Sequence, residues 1–80
     1  MTDSVFSDAY QKFRQILVEA RKSSGYTQVE LANLLEKPQS FVSKYESGER
    51  RIDIVEFVAI CKYLKLNPEH VFRSISQVLD

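Results

Sequence analysis

Ser40, Ser43, Lys44 and Ser47 carry hydroxyl and ammonium groups on one side of a helical wheel of about 100° per residue, with Val42 and Tyr45 on the other and the Gln39 amide on a flank. Such groups hydrogen-bond to an external partner; they do not make or break covalent bonds. A polar side on a short helix can be no more than a solvated surface, but this one has the reach and the donors to enter the major groove of DNA, where each base pair shows a distinct pattern of donors and acceptors. Catalytic constellations are missing. The one histidine, His70, and the one cysteine, Cys61, fall on different helical patterns with no second metal-type partner, and Cys61 reads as core packing. Glu46 and Glu49 flank a glycine turn on a solvated surface and enclose no acid-base pocket. With only Gly25 and Gly48 in the chain there is no glycine-rich phosphate loop. The expectation is a protein that is not an enzyme and uses no cofactor, no metal and no small-molecule ligand.

The elements that must position this face are legible from their ends. Thr27 followed by Glu30 is a capping box, so a helix starts at Gln28 and buries Leu31, Ala32, Leu34 and Leu35. Lys37 precedes Pro38 and is excluded from the helical region, which puts a turn at Glu36 to Pro38. The polar-faced helix follows, with the aliphatic part of Pro38 grouped with Val42 and Tyr45, and Gly48 ends it as a left-handed terminator. Two short helices about a tight turn form a helix-turn-helix. Upstream, Tyr10, Phe13, Leu17 and Ala20 repeat at helical spacing from Asp8 or Ala9 to about Ser23. Downstream, Asp53 and Glu56 make a second capping box before Phe57, Ile60, Cys61 and Leu64, with Ile52 and Ile54 sealing the core entrance. Asn67 and Pro68 open a last helix carrying Val71, Phe72, Ile75, Val78 and Leu79. Five helices and no strand are expected. Residues 1–7 form an extension before a domain of residues 8–80, in which Phe6 packs across the domain and Val5 is merely exposed.

Composition sets the class. Eighty residues, 44% apolar and 28% charged, suit one small globular domain near the lower size limit for an unaided core, so a second copy would add stability. No apolar run approaches the roughly 20 residues of a membrane span. No basic and apolar leader opens the sequence and a single cysteine forms no internal disulfide, so a cytoplasmic address is expected. Net charge is zero, but residues 21–51 hold six basic against four acidic side chains and each flank carries one net negative charge. That is a modest basic patch. It favours weak, salt-sensitive non-specific binding, with selectivity resting on groove contacts.

Arg21, Gly25, Thr27-Gln28, Leu31-Ala32, Val42, Ser43, Tyr45-Glu46, Gly48 and Arg50 together resemble the helix-turn-helix family of the phage-repressor and Cro type, over about Phe13 to Phe72. The resemblance implies an all-α, five-helix, lambda-repressor-like DNA-binding domain whose second and third helices form the motif. It also implies an ion pair between Arg21 and Glu46 across the first and third helices. The chain departs from the family where Glu36 replaces the usual turn glycine and Lys65 a frequent small residue. A non-glycine residue at positive φ costs on the order of 1 kcal/mol, so either that strain is tolerated or the turn takes another shape.

Donor and acceptor geometry then assigns roles. Gln39 can serve adenine N6 and N7, Lys44 guanine O6 and N7 or a phosphate, and Ser40 and Ser43 shorter adaptable bonds. Phe41, on the flank, either packs half-buried against the turn or lies against thymine methyl groups; on the second reading it joins the base-edge set. Gln28, at a helix N-terminus, and Arg50 and Arg51, beyond the third helix, face phosphates; Arg50 can instead brace its loop. The resulting expectation is a transcriptional regulator, a repressor, that binds double-stranded DNA at a near-palindromic operator as a homodimer. Half-sites about one turn apart put the dimer surface away from the turn, with Val55, Val58, Val71, Ile75 and Val78 as candidates. The alternative is a protein-interaction module, an antitoxin-like or co-regulator domain, whose third helix contacts a protein; neutral charge and an exposed Phe41 would suit it.

Overall fold

A computed structural model of the chain describes residues 5–80, with side chains from Phe6 onward. The reading of Val5 as an exposed residue therefore lies outside the described side chains. Five helices follow in order: α1 Val5–Ser23, α2 Gln28–Leu35, α3 Gln39–Ser47, α4 Ile54–Leu64 and α5 Pro68–Leu79. No strand occurs among the described residues.

Helix α1 starts three or four residues earlier than its periodicity predicts, so residues 5–7 belong to the helix and not to an extension. The physical reason lies in the sequence: Phe6 precedes Tyr10 by one helical turn and Phe13 by two, so the apolar stripe itself runs upstream with no breaker. Phe6 does not close over the core, and stays 73% exposed. At the other starts the caps behave as expected. Thr27 Oγ1 accepts from the Glu30 amide while Glu30 accepts from the Thr27 amide, and Asp53 and Glu56 repeat the arrangement on α4. Asn67 accepts from the Glu69 amide, with Pro68 in the first turn of α5.

Two helix ends answer the question posed by the missing small residues. Glu36 closes α2 at φ 58° and Lys65 closes α4 at φ 55°, both left-handed. The turn keeps the shape that glycine would favour, because it lets backbone amides reach orphaned carbonyls: Lys37 donates to Ala32 and Leu66 to Cys61.

Leu17 of α1, Leu31 and Ala32 of α2, Val42 and Tyr45 of α3, Phe57, Ile60, Cys61 and Leu64 of α4, and Val71 of α5 share one buried cluster. Helix α1 packs along α5 and crosses α3, and α2 packs on α3 and α4. Val71 is fully buried, so it leaves the set of candidate dimer residues; Val55 and Val58 remain exposed. Pro38 and Ile54 are also exposed and take no part in sealing the core. Burial raises the Cys61 thiol to about 11, which fits a packing role.

Candidate nucleic-acid interface

Helix α3 is held from behind by α1. Arg21 Nε donates to Glu46 Oε2 at 2.7 Å and Arg21 Nη2 to Glu46 Oε1 at 3.1 Å, a two-pronged pair whose side chains are 10% and 7% exposed. The remaining terminal nitrogen, Nη1, donates to the Tyr26 carbonyl at 2.8 Å, anchoring the loop that enters α2. The Glu46 carboxylate keeps Arg21 protonated still more firmly than usual, against the opposing effect of burial. Two turns earlier on α1, Arg14 donates to the Glu46 carbonyl at 2.8 Å and so satisfies an end of α3. Tyr45 fills the core beside this network; burial raises its hydroxyl well above the ordinary tyrosine range, and the oxygen has no hydrogen-bond partner among the described residues.

The opposite side of α3 carries the expected polar groups. Gln39, Ser40 and Lys44 are exposed and Ser43 is half-buried, and none of Ser40, Ser43 or Lys44 has its side-chain group engaged by another described residue. Ser47 is different. Its hydroxyl donates to the Lys44 carbonyl and meets Glu49, so it finishes the helix and is not free to read anything outside.

Two expectations need correction. Phe41, placed with the base-edge residues on one reading, is 7% exposed and stacks edge-on against Tyr45 with ring centroids 5.5 Å apart. Its neighbours Lys37 and Arg50 approach the ring at 5.5 and 4.9 Å, so it is core covered by cations and cannot touch thymine methyl groups. Arg50, offered to phosphate, grips Glu56 with both terminal nitrogens at 3.0 Å and donates to the Arg51 carbonyl at 2.8 Å. It braces the loop between α3 and α4, the alternative its position allowed. The Gln28 side chain is engaged within the fold, since Nε2 donates to Glu46 Oε1 and Oε1 accepts from Gln39 Nε2, each at 2.9 Å. Arg51 does remain at the surface, with its guanidinium 4.1 Å above the Tyr10 ring. The chain Gln39 to Gln28 to Glu46 was the part sequence reasoning missed. Each residue had been singled out, but only the crossing of α2 over α3 makes them neighbours.

The set is a helix-turn-helix whose second helix leaves the side chains of Ser40, Ser43 and Lys44 unengaged by other described residues. No group of acidic, histidine or cysteine side chains among the described residues could hold a metal ion, and no helix there is long and apolar enough to cross a membrane.

The helix-turn-helix family model matches residues 17–71, and the chain belongs to that family of DNA-binding transcription regulators. Among solved structures it is similar to an XRE-family like protein from Pseudomonas syringae pv. tomato str. DC3000, at 38% identity and a TM-score of 0.87, over 95% of this chain and 93% of that one. No curated protein matches the sequence.

Proposed function

We propose that the protein is a cytoplasmic transcriptional repressor that binds a near-palindromic operator as a homodimer, with α3 in the major groove of each half-site. The observation that carries this reading is the contrast on α3: Glu46 and Tyr45 are locked into the fold, while Gln39, Ser40, Ser43 and Lys44 face outward along one side. Such a helix has its register fixed by the protein and its free hydrogen-bonding groups left for base edges. Phosphate contacts fall to Lys44 and Arg51, and to the backbone amides of Gln28 and Val29, which open α2 and have no acceptor inside the helix. With Arg21 and Arg50 committed internally, the cationic contribution is small. The burial of Phe41 also removes a reason to assign this face to a protein partner.

A second copy fits a specific apolar surface. Phe6, Tyr10, Phe13, Ile54, Phe72 and Leu79 line a groove of about 400 Å³ between α1, α5 and the start of α4. Phe6, Ile54, Phe72 and Leu79 are exposed there, and Val55 and Val58 continue the surface along α4.

The test is a selection of binding sites from a randomised DNA pool, followed by titration at several salt concentrations. Recovery of a two-fold symmetric site is expected. Gln39→Ala relaxes base preference within each half-site, while Arg51→Ala weakens binding alike on all sequences and reduces the salt slope by about one. Failure to enrich any sequence would defeat the proposal.

A further inference from the structure

We propose that the groove between α1, α5 and the start of α4 is a binding site for a small apolar monocarboxylate, acyl or aryl, whose carboxylate pairs with Arg51 and whose occupancy releases the protein from DNA. The release rests on the DNA-binding reading above; the binding site does not.

The groove owes its existence to one small residue. Phe6, Ala9, Tyr10 and Phe13 follow the i, i+3, i+4, i+7 spacing and share one side of α1. The others are aromatic, whereas Ala9, 5% exposed, contributes only a methyl group, so the helix leaves a hollow of about 400 Å³ in front of α5. That volume lies within the range of small-molecule sites. Rings continue along the hollow in a single row: Tyr10 against Phe13 at 5.5 Å, Phe13 against Phe57 at 5.3 Å and Phe57 against Phe72 at 5.5 Å between centroids. An apolar chain or ring laid along that row removes water from the exposed Phe6, Phe72 and Leu79 side chains.

Charge selects which apolar molecule fits. Two ionisable side chains of opposite sign line the groove, Arg51 and Asp53. Asp53 is committed as the cap of α4, where its carboxylate accepts from the Glu56 amide at the positive end of that helix. Arg51 is not committed. Its guanidinium lies over the Tyr10 ring at 4.1 Å, at the first ring of the row, and has no carboxylate partner among the described residues. Arg21 and Arg50, by contrast, each grip a glutamate. A guanidinium resting on a ring keeps its in-plane N–H fork open, and that fork matches a carboxylate through two parallel hydrogen bonds. A neutral molecule would leave the fork unused.

Occupancy and DNA binding oppose each other for two reasons. Arg51 is one of the phosphate contacts of the proposed complex, and a carboxylate on it withdraws that cation from the DNA backbone. Phe6, Phe72 and Leu79 also belong to the surface offered to a second copy, so a ligand lying on them excludes the partner. Linkage makes the antagonism reciprocal, and operator DNA should weaken ligand binding by the same factor.

The full chain is titrated calorimetrically, without DNA, with octanoate, phenylbutanoate, octanol and acetate. Octanoate or phenylbutanoate should bind at a single site, and the tighter of the two identifies an acyl or an aryl source. Octanol, which lacks the charge, should bind about tenfold more weakly than octanoate, and acetate, which lacks the apolar body, should not bind. Arg51→Gln should bring octanoate to the level of octanol, and Ala9→Leu, which fills the hollow, should abolish binding of both. Arg51 is exposed, so Arg51→Gln decides the matter even if Ala9→Leu fails to fold. Equal binding of octanoate and octanol, unaffected by Arg51→Gln, means unspecific adsorption to apolar surface and overturns the proposal. So does absence of binding; if the chain then sediments as a dimer, the groove belongs to the second copy and the DNA-binding reading stands. In a second arm, the tighter ligand at saturation should lower affinity for the selected operator about tenfold. An unchanged affinity overturns the regulatory half, and failure to select any operator defeats the DNA-binding reading while the calorimetry still judges the site.

Discussion

Arg14 lies where a side chain on Gly48 would have to go: a β-carbon added to Gly48 would meet the Arg14 guanidinium carbon at 3.1 Å. The same guanidinium donates to the Glu46 carbonyl, and Gly48 itself sits at φ 89°. The end of α3 thus depends on glycine twice, once for backbone conformation and once for the room it leaves a cation against the negative end of the helix dipole.

Gly48→Ala should accordingly cost about 2 kcal/mol, the left-handed strain plus the displaced Arg14 bond. Arg14→Ala alone should cost about 1 kcal/mol. Because Arg14 can swing aside, the double variant should be less destabilised than the two singles added together. Urea unfolding of the four proteins measures this coupling, and strict additivity would refute the shared-space account.

Glu36→Gly and Lys65→Gly should each stabilise the domain by about 1 kcal/mol, because both residues hold positive φ with exposed side chains. In a domain of this size each change should raise Tm by about 5 °C. The two sites close different helices, so their effects should add. A lower Tm in either variant would show that the strain is compensated by contacts of the original side chain.

Arg21→Ala should destabilise the protein by about 3 kcal/mol, since it strands a largely buried carboxylate and cuts the anchor to the Tyr26 carbonyl. Thermal unfolding reads the loss directly. A Tm within error of wild type would show that the pair contributes nothing net.

Acid should loosen the pair that ties the α3–α4 loop to α4. Arg50 donates to both oxygens of Glu56 and holds that carboxyl below its usual range, helped by the Asp53 amide and opposed by desolvation. A depressed value in the folded state means the stabilisation is complete above the unfolded glutamate value of about 4.3 and is lost as pH falls through the lower folded one. Glu56→Gln should therefore show a weaker decline in urea midpoint between about pH 5 and pH 3 than wild type. Parallel declines would indicate that other carboxylates carry the acid dependence.

Local chemistry in the sequence was enough to determine the five helices, their caps and the polar side of α3. A capping box or an X-Pro step acts within a few residues, and amphipathic spacing names the buried side without knowledge of what covers it. Tertiary packing alone decided whether a flank residue such as Phe41 is core or surface, because its place on the wheel allows both and only the approach of Tyr45, Lys37 and Arg50 closes it off. The same holds for Arg50, a loop residue whose partner Glu56 lies on α4, and for Gln28, whose amide is claimed by α3. The direction of a hydrogen bond between distant residues depends on which groups the fold brings within 3 Å, and periodicity carries no information about that.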